Sequence, residues 1–323
     1  MKKNICVNII LGTACLAAAA GAFAQTYPDK PITLIAPFAP GASADGVARV
    51  VARELSQAVG KPVVVENRAG AGGTTGLIAL AHAAPDGYTL AIGATGAISV
   101  NQHLPDAAPL DPKKQLVPIA KLADIPLVLV ASQKSGLKTL GDLGPASVKE
   151  KGINYGTSGQ FTSHHLAGVL YGSLINATMV AVPYRGSAPA LTDVMAGQIP
   201  LAIVDLTSAI GAIKGGKVTP LAVTSAKRAT AAPDVPTIAE SGHAGYAAGG
   251  WLGLFAPAGT PPAIVESLSA RVKSILASPK VVSEFGTLAV EPAYLNAADF
   301  STFIDLETTK WGAVVKQVGT IQR

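Results

Sequence analysis

The chain has 323 residues, of which 49% are apolar and 14% charged. This length suits two domains better than one, and the apolar share supports sizeable cores and excludes a disordered chain. Lys and Arg outnumber Asp and Glu by 25 to 20, but no basic run is interleaved with aromatics, which excludes nucleic acid as the partner and mildly favours small anions.

Residues 1–24 read as a targeting segment. Lys2 and Lys3 are its positive start, Ile5 to Ala20 its apolar middle, and Ala22-Phe23-Ala24 the small-residue site for cleavage after Ala24. The apolar run is shorter than the ~20 residues that a membrane span requires. Export is therefore expected. Cys6 and Cys15 both lie in this segment. Gly12-Thr13-Ala14 lacks the aliphatic residue that a lipidation signal places three positions before its Cys. The mature chain is thus expected to have no disulfide and no thiol chemistry.

Short β-branched runs then alternate with helical patterns. Ile32–Ala36, Val63–Val65, Tyr88–Ile92, Leu127–Val130, Ile153–Tyr155, Met179–Val182, Leu201–Val204, Leu221–Val223 and Leu252–Phe255 read as strands. Helical segments separate most of them, the pattern of an α/β protein with mainly parallel sheets flanked by helices.

Two of these units match. Strand Ile32–Ala36 leads through a Pro- and Gly-rich loop into a helix with apolar Val47, Val50, Val51 and Leu55. Strand Ile153–Tyr155 leads through Gly156-Thr157-Ser158-Gly159-Gln160-Phe161-Thr162 into a helix with apolar Leu166, Val169, Leu170 and Leu174. Both helices use the spacing i, i+3, i+4, i+8, and Ser43 or Thr162 stands four places before the first apolar position as a candidate N-cap. The match predicts two similar lobes joined by two hinge strands, Pro126–Val130 and Trp251–Phe255. The first lobe would be discontinuous, 27–125 plus 251–323, with 126–250 as the second.

A Gly-rich turn opening a helix offers unpaired N–H groups and a positive dipole end to an anion. Residues 40–45 and 156–163 both have this form, so facing each other they would hold a dicarboxylate, or a carboxylate at one end and a polar group at the other. Neither loop carries much cationic side chain. Asp45 either caps its helix or accepts from a ligand ammonium. Arg185, in Val182-Pro183-Tyr184-Arg185-Gly186-Ser187, could pair bidentately with a carboxylate. Asp205 is a similar residue at a strand end.

Enzyme motifs nearly form and fail. In Gly41-Ala42-Ser43-Ala44-Asp45, Asp45 replaces the second Gly of a nucleophile elbow. In Gly211-x4-Gly216-Lys217, Val218 replaces the magnesium-binding Ser or Thr. In Gly70-Ala71-Gly72-Gly73-Thr74-Thr75, Thr75 replaces the third Gly of a dinucleotide fold. His164 and His165 point about 100° apart on a helix and do not share a metal easily. No catalytic residue, cofactor or metal is expected, and one of the two histidines is expected to be structural.

Several segments together resemble the substrate-binding proteins of tripartite tricarboxylate transporters, the Bug family. They are Tyr27-Pro-Asp-Lys-Pro-Ile32, Pro37-Phe-Ala-Pro-Gly41 with Ser43 and Asp45, Val65-Glu-Asn-Arg68 with Gly70-Ala-Gly-Gly73, and Pro85-Asp-Gly-Tyr-Thr89. Val182-Pro-Tyr184, Pro189-Ala-Leu-Thr-Asp193, Pro233-Asp-Val-Pro-Thr237 with Glu240 and Gly242, and Phe255-Ala-Pro-Ala-Gly-Thr-Pro261 continue the series. They span nearly the whole mature chain in family order.

The resemblance implies a type II two-lobe periplasmic-binding-protein fold, and carboxylate binding largely by backbone amides and bridging waters. It also implies delivery to a membrane permease with one large and one small subunit, by a receptor that is not an enzyme and is expected to be a monomer. By match to the family pattern, Phe38, Pro40, Gly41, Ala42, Ser43 and Asp45 form the first wall of the site. Thr157, Ser158, Gly159, Gln160, Phe161, Thr162 and Ser163 form the second, with Tyr184, Arg185 and Asp205 beside them. Two positions depart from the pattern. Ala42 stands where the family usually has a second Gly, and Phe161 where it often has one. With Phe38, Phe161 either flanks a ligand with an apolar or aromatic body or packs inside its own lobe. Two rival functions share these residues: a sensor presenting the solute to a membrane kinase, and an exported hydrolase using Ser43 or Ser158.

Overall fold

The structure, a computed structural model, describes residues 27–38, 40, 43–104 and 109–321. The targeting segment with Cys6, Cys15 and the cleavage point after Ala24, and the loop residues Gly41 and Ala42, lie outside the described residues.

Strands β1 (Ile32–Ala36), β2 (Val63–Asn67), β3 (Thr89–Ala94), β4 (Leu116–Ile125), β10 (Gly250–Pro257) and β11 (Glu291–Leu295) form one sheet, in the order β11-β4-β10-β3-β1-β2. Strands β5 (Leu127–Ser132), β6 (Ile153–Thr157), β7 (Met179–Pro183), β8 (Leu201–Asp205) and β9 (Val218–Val223) form the other, in the order β7-β6-β8-β5-β9. All nine expected strands are present, most extended by one to three residues. Two more went unread. Lys121 and Asp124 interrupt the apolar pattern of β4, and Pro292 that of β11. In β4 the charge is neutralised locally: Lys121 is buried, lies 2.6 Å from Asp124 and sits over the Phe303 ring.

The sheets are more mixed than the alternation of strand and helix implies. In the first, β2, β1 and β3 are parallel, while β10, β4 and β11 join by antiparallel pairings. In the second, β7, β6 and β8 are parallel, while β5 and β9 join antiparallel. Four of the antiparallel strands, β4, β5, β9 and β10, are those the chain uses to pass between the sheets. β4 runs into β5 with Pro126 alone between them. On the return, Thr224 N–H donates to Leu127 O and Ala248 N–H to Thr224 O, each at 2.9 Å, before Gly250 pairs opposite Ile125. The two passages therefore lie side by side.

Helices α1 (Ser43–Val59), α2 (Thr74–Ala81), α3 (Leu143–Lys149), α4 (Ser163–Leu174), α5 (Ser187–Ala196), α6 (Leu206–Lys214), α7 (Pro262–Leu276), α8 (Pro279–Thr287) and α9 (Ala297–Ile321) cover the sheet faces. In α1 the expected stripe of Val47, Val50, Val51 and Leu55 is buried. In α4 the stripe is rotated from expectation: Leu166 and Val169 are buried, Leu170 is half-buried, and Leu174 is 49% exposed. The cause is small residues. Gly168 and Gly172 let α4 lie directly on the sheet, and a β-carbon at Gly168 would come within 2.3 Å of the Tyr155 ring. Close approach thus overrides the leucine pattern.

Helix α9 joins both halves. Phe300 packs in a cluster with Ile35, Trp251 and Phe255, while Trp311, Val314 and Val315 pack in a cluster with Tyr155, Leu166 and Leu201. The Glu307 carboxylate accepts from the indole N–H of Trp251 at 3.2 Å and of Trp311 at 2.8 Å, and also pairs with Lys310. One buried anion thereby fastens the returning strand to α9. Two substitutions test this packing by urea denaturation. Gly168→Ala should cost about 1–3 kcal/mol through overpacking, although Ala in a helix interior is ordinarily favoured over Gly by about 1 kcal/mol. Trp311→Ala should cost about 3–5 kcal/mol.

Candidate functional site

In the second sheet β6, β7 and β8 run parallel and end at Thr157, Pro183 and Asp205. Each leads into a helix, so the N-termini of α4, α5 and α6 gather at one edge. Side chains connect them. His164, the second residue of α4, is buried, with Nε2 3.0 Å from Asp205 Oδ1 and Nδ1 2.6 Å from Ser158 Oγ. Ser187, the first residue of α5, donates to Asp205 Oδ2 and accepts from Asp205 N–H, both at 3.1 Å. Asp205 itself immediately precedes α6.

The first sheet contributes α1. Ser43 is its first helical residue, not the capping residue before it, and its hydroxyl crosses to Thr207 Oγ1 on α6 at 3.4 Å. Thr207 in turn donates to the Leu288 carbonyl. Side-chain contacts thus link α1 to α6 through Ser43 and Thr207, and α4 to α5 through His164, Asp205 and Ser187, and the two sets meet at the start of α6, where Asp205 and Thr207 lie two residues apart. Among the predicted site residues, these contacts bring together Ser43, Ser158 and Asp205.

The rest of the first loop is tied back into its own half. Asn67, at the end of β2, donates to Asp45 Oδ1 at 2.7 Å and to Phe38 O at 3.1 Å. Arg49 Nε holds Asp45 Oδ2 at 3.0 Å, one helical turn on. Asp45 therefore anchors the loop. The Phe38 ring packs on the first core and lies over Gly73, where a β-carbon would come within 3.2 Å of Cζ. Pro40 is exposed.

The second loop is held by its own hydroxyls. Thr157 Oγ1 and Thr162 Oγ1 both donate to Gly159 O, at 3.1 and 2.8 Å. Thr162 also accepts from His165 N–H, which makes it the N-cap the sequence suggested. Phe161 adopts φ +57°, a conformation that favours glycine. Its N–H donates to His165 Nδ1 at 2.9 Å, its ring centroid stands 5.7 Å from the His165 ring, and it packs against the second core. Gln160 is exposed and Ser163 buried.

The two histidines have different roles. His165 is the structural one: Nδ1 accepts from Phe161, its carbonyl accepts from the Tyr155 hydroxyl, and burial pushes its imidazole pKa down. His164 makes the cross-helix contacts. Tyr184 turns aside to donate to Asp193 Oδ2 at 2.6 Å, and burial together with that carboxylate pushes its phenol up to about 12. Arg185 is exposed, with no hydrogen bond or ion pair among the described residues. No group of three His, Cys, Asp or Glu side chains suited to a metal occurs among the described residues. A groove of about 790 Å³ runs along α4 and edge strand β7, but Ser43, Asp205 and Thr207 do not line it.

His164, Ser187 and Thr207 join the site without a motif in the sequence that marks them. Each stands at the first or second position of a helix that follows a strand, and that position was the available signal. Their mutual proximity depends on strand order.

The architecture is that of the two-lobe solute-binding proteins. The chain belongs to the tripartite tricarboxylate transporter receptor family, whose model matches residues 47–320. It is 35% identical to Protein BugT of Bordetella pertussis over 97% of this chain and 96% of that one. Among solved structures it is similar to Rpa4515 of R. palustris with adipate, at 32% identity and TM-score 0.82 over 91% of this chain and 98% of that one. The periplasmic binding protein BugD is also similar, at 32% identity and TM-score 0.78 over 91% and 99%. Ser158, His164 and Asp205 are the residue types of a hydrolase triad, yet the family and its solved members are solute-binding proteins, and this chain is a receptor rather than an enzyme.

Asp205 gives the site a pH signature. Desolvation pulls its carboxyl up, but the adjacent His164 charge and the hydrogen bonds from His164 and Ser187 hold it below the usual carboxylate range. A carboxyl lowered by folding stabilises fully above its unfolded value, about 3.9, and this stability is lost as pH falls through the folded value. Asp205→Asn should therefore lower Tm most near pH 6. The gap from wild type should narrow below about pH 4, as followed by calorimetry.

Proposed function

We propose that the protein is an exported periplasmic receptor that closes two lobes around a small dicarboxylate and delivers it to the membrane subunits of a tripartite tricarboxylate transporter. The observation that carries this reading is the convergence of four helix N-termini, from both sheets, on the Ser43–Thr207 and Asp205–His164–Ser158 contacts. Each helix end presents unpaired N–H groups and a fractional positive charge, worth about 0.3–1 kcal/mol to a nearby anion. Ligands of open α/β sheets bind beyond the carboxyl ends of the strands, which is where these residues lie.

In this reading residues 27–125 plus 251–323 form one lobe and 126–250 the other, with hinges at Pro126 and at the return passage to Gly250. Closure buries the solute. The first wall is the Phe38–Asp45 loop, the second runs from Thr157 to Ser163, and Arg185 offers an exposed guanidinium to one carboxylate. The adipate held by the R. palustris relative supports a ligand with a carboxylate at each end. Phe38 and Phe161 pack in their own halves, which favours an aliphatic body over an aromatic one. Micromolar affinity corresponds to about −8 kcal/mol. A few N–H···carboxylate bonds of about 1.5–3 kcal/mol each supply this once ordering is subtracted.

Native mass spectrometry of freshly purified protein should reveal a retained dicarboxylic acid. In thermal-shift titrations, aliphatic dicarboxylates such as adipate should stabilise the protein by about 2.7 kcal/mol at a hundredfold excess over Kd. Benzoate and neutral sugars should give no shift. Stabilisation by sugars alone would end the carboxylate reading.

A further inference from the structure

We infer that His164 is a proton-dependent specificity residue, so that the receptor takes up a proton on His164 as it binds its anionic solute. The inference rests on the carboxylate reading above and adds a chemical condition to it.

Asp205 Oδ1 is an ionised acceptor 3.0 Å from His164 Nε2, so Nε2 carries a hydrogen. Ser187 Oγ also stands 3.5 Å from Nε2, the longer of that nitrogen's two contacts, and the partner of Nδ1 is Ser158, with Oγ at 2.6 Å. A serine hydroxyl has one hydrogen. When His164 is neutral, Nδ1 is a bare acceptor and takes that hydrogen, and Ser158 then presents only lone pairs to an anion. When His164 is protonated, Nδ1–H donates to Ser158 Oγ, and the hydroxyl hydrogen is freed to turn toward a carboxylate oxygen. Ser187 has no such freedom, because its hydrogen goes to Asp205 Oδ2 and its oxygen accepts from Asp205 N–H.

Charge acts in the same direction. Asp205 is a carboxylate with 25% of its side chain exposed, at the helix ends where the anion is to bind. Unneutralised, it repels the solute, and an imidazolium on His164 cancels it. No other charged group facing His164 performs this task. His165, on the same helix, has Nδ1 occupied by the Phe161 N–H. Strand β6 contributes Tyr155, whose hydroxyl is held by the His165 carbonyl. Strand β7 carries no titratable side chain. The segment before α5 carries Tyr184, tied to Asp193, and Arg185, which is exposed. Helix α9 meets α4 through the apolar cluster of Trp311, Val314 and Val315 with Leu166, and through Ser173 and Gln317, none of them charged. The segment between β9 and β10 brings Tyr246, whose hydroxyl donates to the Ala167 carbonyl, and His243, whose ring stands 5.4 Å from that of Tyr171, about two turns from His164.

Linkage fixes the sign. If the bound state holds the proton more tightly, affinity is greatest at low pH and falls as pH rises through the histidine range, by at most tenfold per unit for one proton. Adipate is the probe, titrated calorimetrically between pH 6 and 8, above the carboxyl range, in buffers of different ionisation enthalpy. Wild type should take up a fraction of one proton per adipate bound, and affinity should fall several-fold to tenfold across this interval. His164→Gln keeps a donor for Asp205 but cannot titrate, so it should bind with no uptake and a flat pH profile. NMR titration of the wild-type imidazoles should show one histidine whose pKa rises on adding adipate. This measurement does not depend on the variant folding. Zero uptake with a flat wild-type profile overturns the inference while leaving the receptor reading intact, as does uptake that persists in His164→Gln. Failure of adipate and every other carboxylate to bind at any pH overturns the carboxylate reading and the inference with it.

Discussion

The arrangement depends on parallel strands that end together. Because β6, β7 and β8 point the same way, the helices that follow them begin at one edge and their dipoles add at one place. Such a concentration of unpaired N–H groups is unfavourable unless something negative or hydrogen-bonding meets it. Asp205 supplies part of that charge from within the protein, with Ser187 and His164 fixing its orientation. Helix α1 arrives from the other sheet through Ser43. The region is therefore positive in character and already partly neutralised by its own carboxylate.

The same region is where the two halves meet. Thr207 of the second half hydrogen-bonds Ser43 and the Leu288 carbonyl of the first. The Leu288 side chain lies against Gly46 of α1, while the next residue, Ala289, is buried among Val128, Val204 and Ala209. Thr230 reaches Glu291 through both its N–H and its hydroxyl. Few of these contacts are apolar, in contrast to the cores on either side. Polar contacts between halves separate at low cost because water replaces them. Helix α9 behaves differently, since Trp311 and Phe300 are fully buried in separate clusters. It ties the halves together through buried apolar contacts.

Much of the fold was legible in the sequence because its signals are local. The strands announced themselves as β-branched runs, and Thr162 as a cap by its place before a helical pattern. Where longer-range packing decides, the reading failed. β4 is interrupted by Lys121, which is acceptable only because Asp124 and the Phe303 ring neutralise it. The leucine stripe of α4 gives way to the glycine face because Tyr155 lies beneath it. Asp45 and Tyr184 seemed available for ligand until Asn67, Arg49 and Asp193, remote or on another turn, engaged them.

By itself, the sequence determined the element types, the family and the Gly-containing turn that opens α4, since backbone conformation and hydrophobic period act over a few residues. The tertiary structure alone decided which helix ends converge and which side chains remain free there. Ser43 and Thr207 are separated by 164 positions, and Asp205 and His164 by 41. No local preference encodes either contact. Strand order and direction bring them together, and with them the histidine that the sequence left without a task.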